Sequence, residues 1–353
     1  MTKQQKWINF TIMLILFGVT VFILKKQINV NQMMTIAQTV KVGYILGAIG
    51  MMFGFWGLES LMIGLLLDHV DDKVERKHIP WIAIKTTLIG QYYSNITPFA
   101  SGGQPIQLLL LRKHKVSTSN GTAILVGKFL VFQITVTLYA LFLSLFNFRY
   151  IFNEMSLITG FLALGLVINT LGLSLIIFLA FKPSWIKYLG KKMNTLLSHV
   201  KLIKSREKSE RKWVRFVEEY QQGIEKLKSD PKKTLILFAL SILQVTLFFG
   251  ITYVIYRALN LSGISPVKVI TLQAILYMCV SFMPIPGTVG ASEVGFSMVL
   301  GSVFTTHFVG VAMLLWRLIS YYFGLLFCGI FTLIISIREQ RRHKREAVSE
   351  LTS

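Results

Sequence analysis

The sequence predicts an all-α polytopic membrane protein of about six full spans and two re-entrant helix pairs broken by Pro and Gly. Three observations lead there. Hydrophobic residues make up 53% of the 353 and charged residues only 15%, with a mean hydropathy of +0.60. That is more apolar surface than a soluble core of this size buries, and lipid must cover the remainder. The apolar residues fall in long blocks, and a helix needs ~20 of them to cross a hydrocarbon core of ~30 Å. Two further apolar stretches are interrupted halfway by Pro and Gly.

Six blocks qualify as spans: Trp7 to Leu24, Val42 to Leu67, Ser119 to Phe146, Ser156 to Phe181, Thr234 to Tyr256, and Phe308 to Ile337. The first reads as a retained span rather than a signal peptide, because no small-residue cleavage site follows it and Lys25-Lys26 come next. The first, fourth and fifth hold no charge, whereas the second holds Glu59, the third Lys128 and the sixth Arg317. In the second, Gly43, Gly47, Gly50, Gly54 and Gly57 form a small-residue face that lets another helix approach closely, a packing feature.

The broken stretches are Ile79 to Leu111, interrupted by Thr97-Pro98-Phe99-Ala100-Ser101-Gly102-Gly103-Gln104-Pro105, and Val269 to Leu300, interrupted by Pro284-Ile285-Pro286-Gly287-Thr288-Val289-Gly290. Neither is long enough to cross twice. Each reads as two half-helices that dip into the membrane and return to the same side, with irregular backbone shielded inside protein. Full crossing by each pair gives the alternative count of eight to ten spans.

Charge sets the orientation. The net charge of +21 is concentrated in polar stretches between apolar blocks, which points to topology and anionic lipid rather than to nucleic acid. Lys182 to Lys233 hold 15 Lys/Arg against 6 Asp/Glu, and the tail carries Arg338, Arg341, Arg342, Lys344 and Arg345. Both belong in the cytoplasm. The chain therefore reads as one transmembrane domain, 1–337, in the inner cell membrane, with a basic cytoplasmic loop at 182–233, a basic tail at 338–353 and both termini inside. The exception is the basic pair Lys25-Lys26, which falls outside. The first broken pair then enters from the cytoplasm and the second from the outer face, an inverted relation. Within the loop, Trp213, Phe216, Val217, Tyr220, Ile224 and Leu227 recur at helical spacing. They describe an amphipathic helix lying on the membrane surface or packing on the bundle.

Interruptions at corresponding places in two halves point to a binding site, since half-helix ends expose backbone N–H groups and a positive dipole end that favour an anion such as phosphate. The alternative is that the breaks only shape the bundle. Candidate residues at the breaks are Thr97, Pro98, Gly102, Gly103, Gln104, Pro284, Pro286, Gly287 and Gly290. A charge within a span costs at least ~2.5 kcal/mol on insertion scales and faces a cavity or a partner. Arg317, whose fork can hold a phosphate through two hydrogen bonds, and Lys128, a point charge, are the candidate cationic ligands. Glu59 and Glu293 are counter-ions to them or proton carriers, and pairing is the favoured role.

Enzyme templates fail. No His-Glu-x-x-His or Gly-x-Ser-x-Gly occurs. Gly121 to Lys128 is one residue too long for a phosphate-binding loop and runs on into Phe129, where such a loop has Ser or Thr. Cys279 and Cys328 both lie in apolar segments and offer neither a disulfide framework nor a Cys-based metal site. No metal or cofactor is expected.

Thr97-Pro98 with Gly102-Gly103-Gln104-Pro105, then Pro284-Ile285-Pro286-Gly287-x-x-Gly290-x-x-Glu293, then Arg317 in a late span, resembles the membrane region of bacterial lysylphosphatidylglycerol synthases, the multiple-peptide-resistance proteins, and their stand-alone relatives. The resemblance runs from about Lys41 to Ile337. It implies flipping of aminoacylated or related anionic lipids between leaflets, with membrane lipids as partners. In the full-length synthases a separate cytoplasmic domain transfers lysine from aminoacyl-tRNA to phosphatidylglycerol. This chain ends soon after its last span, so lysyl transfer is not expected from it alone, and a separate synthase is a possible partner. Gly127-Lys128 stands where many relatives carry an acidic residue followed by Arg. The expected function is a lipid translocase for an anionic or aminoacylated phospholipid or glycolipid. A lipid-modifying enzyme or its membrane partner, and a scaffold of an envelope-lipid complex, are the alternatives.

Overall fold

The computed structural model describes residues 39–70, 74–149, 156–182, 184–185, 187–188, 192, 206–281, 283 and 285–352. The expected span Trp7 to Leu24, Lys25-Lys26 and Pro284 lie outside them. Every regular element among the described residues is helical. In order these are α1 (Val42–Val70), α2 (Ile79–Ile96), α3 (Gly103–Lys113), α4 (Thr118–Phe146), α5 (Ser156–Phe181), α6 (Arg206–Ser229), α7 (Pro231–Ala258), α8 (Pro266–Val280), α9 (Ala291–Arg317) and α10 (Gly324–Thr352).

α1, α4 and α7 have 29, 29 and 28 residues and are apolar enough to cross a membrane. At about 1.5 Å per residue they exceed the hydrocarbon thickness. Helix starts are written in the sequence. Ser117 accepts from the Asn120 N–H, Asp230 from that of Lys233 and Ser265 from that of Lys268, and Pro follows Asp230 and Ser265 at the first helical position. α1 and α7 lie against each other, and Leu247 packs where a Cβ on Gly54 would stand, 2.8 Å away. Among the described residues nothing lies within 4 Å of a Cβ on Gly43, Gly47, Gly50 or Gly57, so of the expected small-residue face only Gly54 makes a helix contact.

α2 and α3 form the first re-entrant pair. Gly90 faces Gln107 and Gly103 faces Ser94, the register of two antiparallel helices closing toward Thr97–Gly102. A Cβ on Gly103 would meet Ser94 Oγ at 1.9 Å and the Gly90 carbonyl at 3.0 Å, so this approach needs glycine. At the open end, Glu339 of α10 bridges Lys85 of α2 and Lys113 of α3, which puts both ends of the pair on one side.

α8 and the first half of α9 form the second pair, with Leu276 packed where a Cβ on Gly295 would stand. At Thr305 (φ 58°, ψ 163°) α9 leaves helical geometry. The two halves, 291–304 and 306–317, are antiparallel. Phe296 stacks on Trp316 at 5.2 Å, Ser297 reaches Met313 Sδ at 3.9 Å, and Glu293 meets Arg317. The last span thus starts after Thr305, passes a π-helical turn at Leu318–Phe323, and continues as α10 through the expected tail to Thr352.

The pairs enter from opposite ends. The Lys41 N–H bonds the Ala258 carbonyl and the Asn260 side chain bonds the Thr39 carbonyl, so α1 begins where α7 finishes. Phe304 packs edge-on to Tyr256 there, which puts the mouth of the second pair at that end. His69 and Lys226, Lys233, Lys113 and Glu339 mark the other end, where the first pair opens. The two apices meet between these ends: Tyr321 donates to the Asn95 carbonyl at 3.1 Å, and Ile96 packs with Val289 and Tyr322.

α6 packs on the bundle. Val217, Tyr220 and Ile224 are buried, Gly223 lies against Ala123 of α4, and Ser119 donates to Glu219 at 2.7 Å. Of the two placements open to this amphipathic helix, the structure has the packed one, because its apolar stripe is covered by α4.

Candidate functional site

Between the apices and α1, α4, α7 and α8 lies a cavity of about 940 Å³. Its wall carries Glu59, Lys128, Arg317, Gln104 and Gly287 of the sequence-predicted residues. Thr97, Pro98, Gly102, Gly103, Pro286, Gly290 and Glu293 stand behind the wall and shape the two apices; Pro284 lies outside the described residues.

The first apex is held by a hydroxyl. Thr97 Oγ1 donates to the Tyr93 carbonyl at 2.7 Å and accepts from the Gly102 N–H at 2.8 Å. Pro98 opens the single 3₁₀ turn, in which Phe99 and Ala100 have positive φ. A Cβ on Gly102 would stand 2.7 Å from Thr97 Cγ2. α3 then starts at Gly103, with Pro105 lacking an N–H and Ile106 bonded to the Gly102 carbonyl at 3.4 Å. Among the described residues the N–H groups of Gly103 and Gln104 are unmatched, and Gln104 stands at the cavity wall.

The second apex is held by charge. Glu293 Oε2 accepts from the Gly290 N–H at 2.6 Å, closing the start of α9, and Oε1 accepts from Arg317 Nε at 2.7 Å. Arg317 Nη2 donates to the Gly287 carbonyl at 2.9 Å, and its guanidinium lies 4.9 Å from the centre of the Tyr321 ring. Gly287 (φ 58°) is needed twice over, since a Cβ there would meet that ring at 2.2 Å. Glu293 is therefore the counter-ion of Arg317 and occupies the helix start that sequence reasoning left open for an anion. With side chains 4% and 0% exposed, the pair is buried, and removal of either partner leaves an uncompensated charge. Two guanidinium nitrogens are engaged, and the group still borders the cavity.

Lys128 pairs with Glu59 at 2.5 Å, each side chain 13% exposed, so the second buried cation is also neutralised. What charge-based reasoning missed is the neutral polar lining. Gln91, Asn95, Gln244 and Gln273 face the cavity from α2, α7 and α8. An amide in an apolar block is a weaker signal than a charge, though its repetition in successive blocks marks one polar centre. Lys85, inside the first broken stretch and ion-paired to Glu339, was legible as a charge and missed as well.

This arrangement is that of a multi-pass helical membrane protein with a polar cavity between two inverted re-entrant pairs. The chain belongs to the family described as the lysylphosphatidylglycerol synthase TM region, whose model matches residues 8–328. It is also similar to a UPF0104 membrane protein of Archaeoglobus fulgidus, 23% identical over 287 residues that cover 78% of this chain and 81% of the relative. No solved structure matches it.

Proposed function

We propose that the chain is a lipid translocase that carries an anionic or aminoacylated phospholipid or glycolipid between leaflets. The observation that carries this reading is the meeting of two inverted re-entrant apices beside a polar cavity of about 940 Å³. The head group enters the cavity, its phosphate taken by the unmatched N–H groups at the start of α3 and by the free side of Arg317, while the acyl tails stay in the bilayer. Alternate opening at the two ends then moves it across. The basic end, with α6 and the end of α10, is read as cytoplasmic, and a separate lipid synthase is a natural supplier of substrate.

The test is leaflet exchange of fluorescent phosphatidylglycerol and lysylphosphatidylglycerol in vesicles holding the purified chain. Exchange well above protein-free vesicles, and lost in Arg317→Ala that remains folded, is the expected result. Folded protein that moves neither lipid overturns the reading.

A further inference from the structure

The charged side chains on the cavity wall occur only in neutral pairs: Lys128 with Glu59, and Arg317 with Glu293 directly behind it. No carboxylate on the wall is left to balance an added cation. The rest of the polar wall is amide and hydroxyl, and some of it is unsatisfied. Gln244 is 1% exposed; its Nε2 makes one long bond, 3.4 Å to the Phe55 carbonyl, and its Oε1 has no partner. Trp316, 5% exposed, borders the same cavity with its Nε1–H unmatched. On α2, Gln91 Nε2 donates to Asn95 Oδ1 at 3.0 Å, which leaves an amide oxygen and an amide NH₂ for other partners. A buried acceptor and a buried donor without partners are costly, and a hydroxyl, which can both donate and accept, is a group able to satisfy either.

We infer that the site selects a phosphodiester lipid with an uncharged, hydroxyl-bearing head, a glycerol or a sugar-like ring, over one with an added cationic group, and that Gln244 and Trp316 determine this specificity. The inference rests on the translocase reading for the lipid's entry and deepens it by naming the head group. A wall built to hydrogen-bond a hydroxyl rejects the analogue without it, because its own polar groups are then left unpaired.

The experiment measures binding and movement separately on the full chain. In detergent, short-chain phosphatidylglycerol, phosphatidylinositol, phosphatidylpropanol and lysylphosphatidylglycerol are titrated; in vesicles, their labelled forms are followed between leaflets. The hydroxylated lipids are expected to bind about tenfold or more tighter than phosphatidylpropanol, equal in charge but without hydroxyls, with lysylphosphatidylglycerol also weaker than phosphatidylglycerol. Gln244→Leu and Trp316→Phe should each shrink the phosphatidylglycerol to phosphatidylpropanol ratio at least threefold. Equal binding of those two lipids, tightest binding of the lysyl lipid, or an unchanged ratio in both folded variants overturns the inference. Lipid movement without head-group preference overturns it and leaves the translocase reading standing. Selective binding without movement does the reverse.

Discussion

The two apices solve the same problem, a chain reversal inside the bilayer, with different chemistry. At the first, one neutral hydroxyl, Thr97 Oγ1, ties the turn, and the start of α3 keeps unmatched N–H groups. At the second, Glu293 and Arg317 consume the N–H of Gly290 and the carbonyl of Gly287. A neutral staple is weak but leaves the helix dipole available, whereas an ion pair is rigid and satisfies the helix start internally. The second apex is therefore the anchored one, and under the proposed function the first is the surface that meets the head group.

Breaking the anchor has the largest expected effect. Arg317→Ala or Glu293→Gln leaves its partner buried without a countercharge, at a cost of about 3–5 kcal/mol. Thermal unfolding in detergent should register it, with lipid exchange lost. Arg317→Met combined with Glu293→Leu sharpens the point: removing both charges should recover much of the stability while exchange stays down, if Arg317 also touches the ligand. Recovery of both would reduce Arg317 to a fastener.

Gly287→Ala comes next. The added methyl meets the Tyr321 ring at 2.2 Å on a backbone with φ 58°, and a loss of about 2–3 kcal/mol is expected, partly relieved by Tyr321→Leu. The same substitution at Gly43 meets nothing among the described residues and should be close to neutral, which a melting comparison of the two variants checks.

These residues also mark how far the sequence could be read. The blocks among the described residues, both hairpins, their inverted entry and the counter-ion role of Glu293 were legible, though not which cation it meets, because a membrane makes hydropathy and interrupted periodicity speak directly about backbone. The division of labour between the apices was not, since whether a helix start is open depends on which side chain folds back onto it. Glu293, three residues after Gly290, holds the place of a capping-box acid, a local signal that was available and pointed to closure. The tight turn at Thr305 carries no Gly or Pro and left no such mark.

Lys128 and Glu59 stand between the extremes. Their side chains are 13% exposed, so Lys128→Met should cost about 1–3 kcal/mol in stability and weaken exchange, with Glu59→Gln matching it if the pair acts only as a pair. A Lys128 variant that loses far more exchange than the Glu59 variant, at equal melting temperature, would add Lys128 to the ligand contacts.

The smallest effect tests the presenting apex. Thr97→Val keeps the shape of the side chain and removes the one oxygen that holds the Gly102 N–H, at an expected cost of about 1–2 kcal/mol. Stability should barely move on the scale of the anchor variants. Exchange should fall by more than that modest loss suggests, because the hydroxyl sets where α3 begins and hence where the Gly103 and Gln104 N–H groups point. Thr97→Ser, which retains the oxygen, should restore exchange. If Thr97→Val instead melts early and exchanges normally once folded, the first apex is held by packing around Ile96 and Val289, and the start of α3 is not the place where the head group is met.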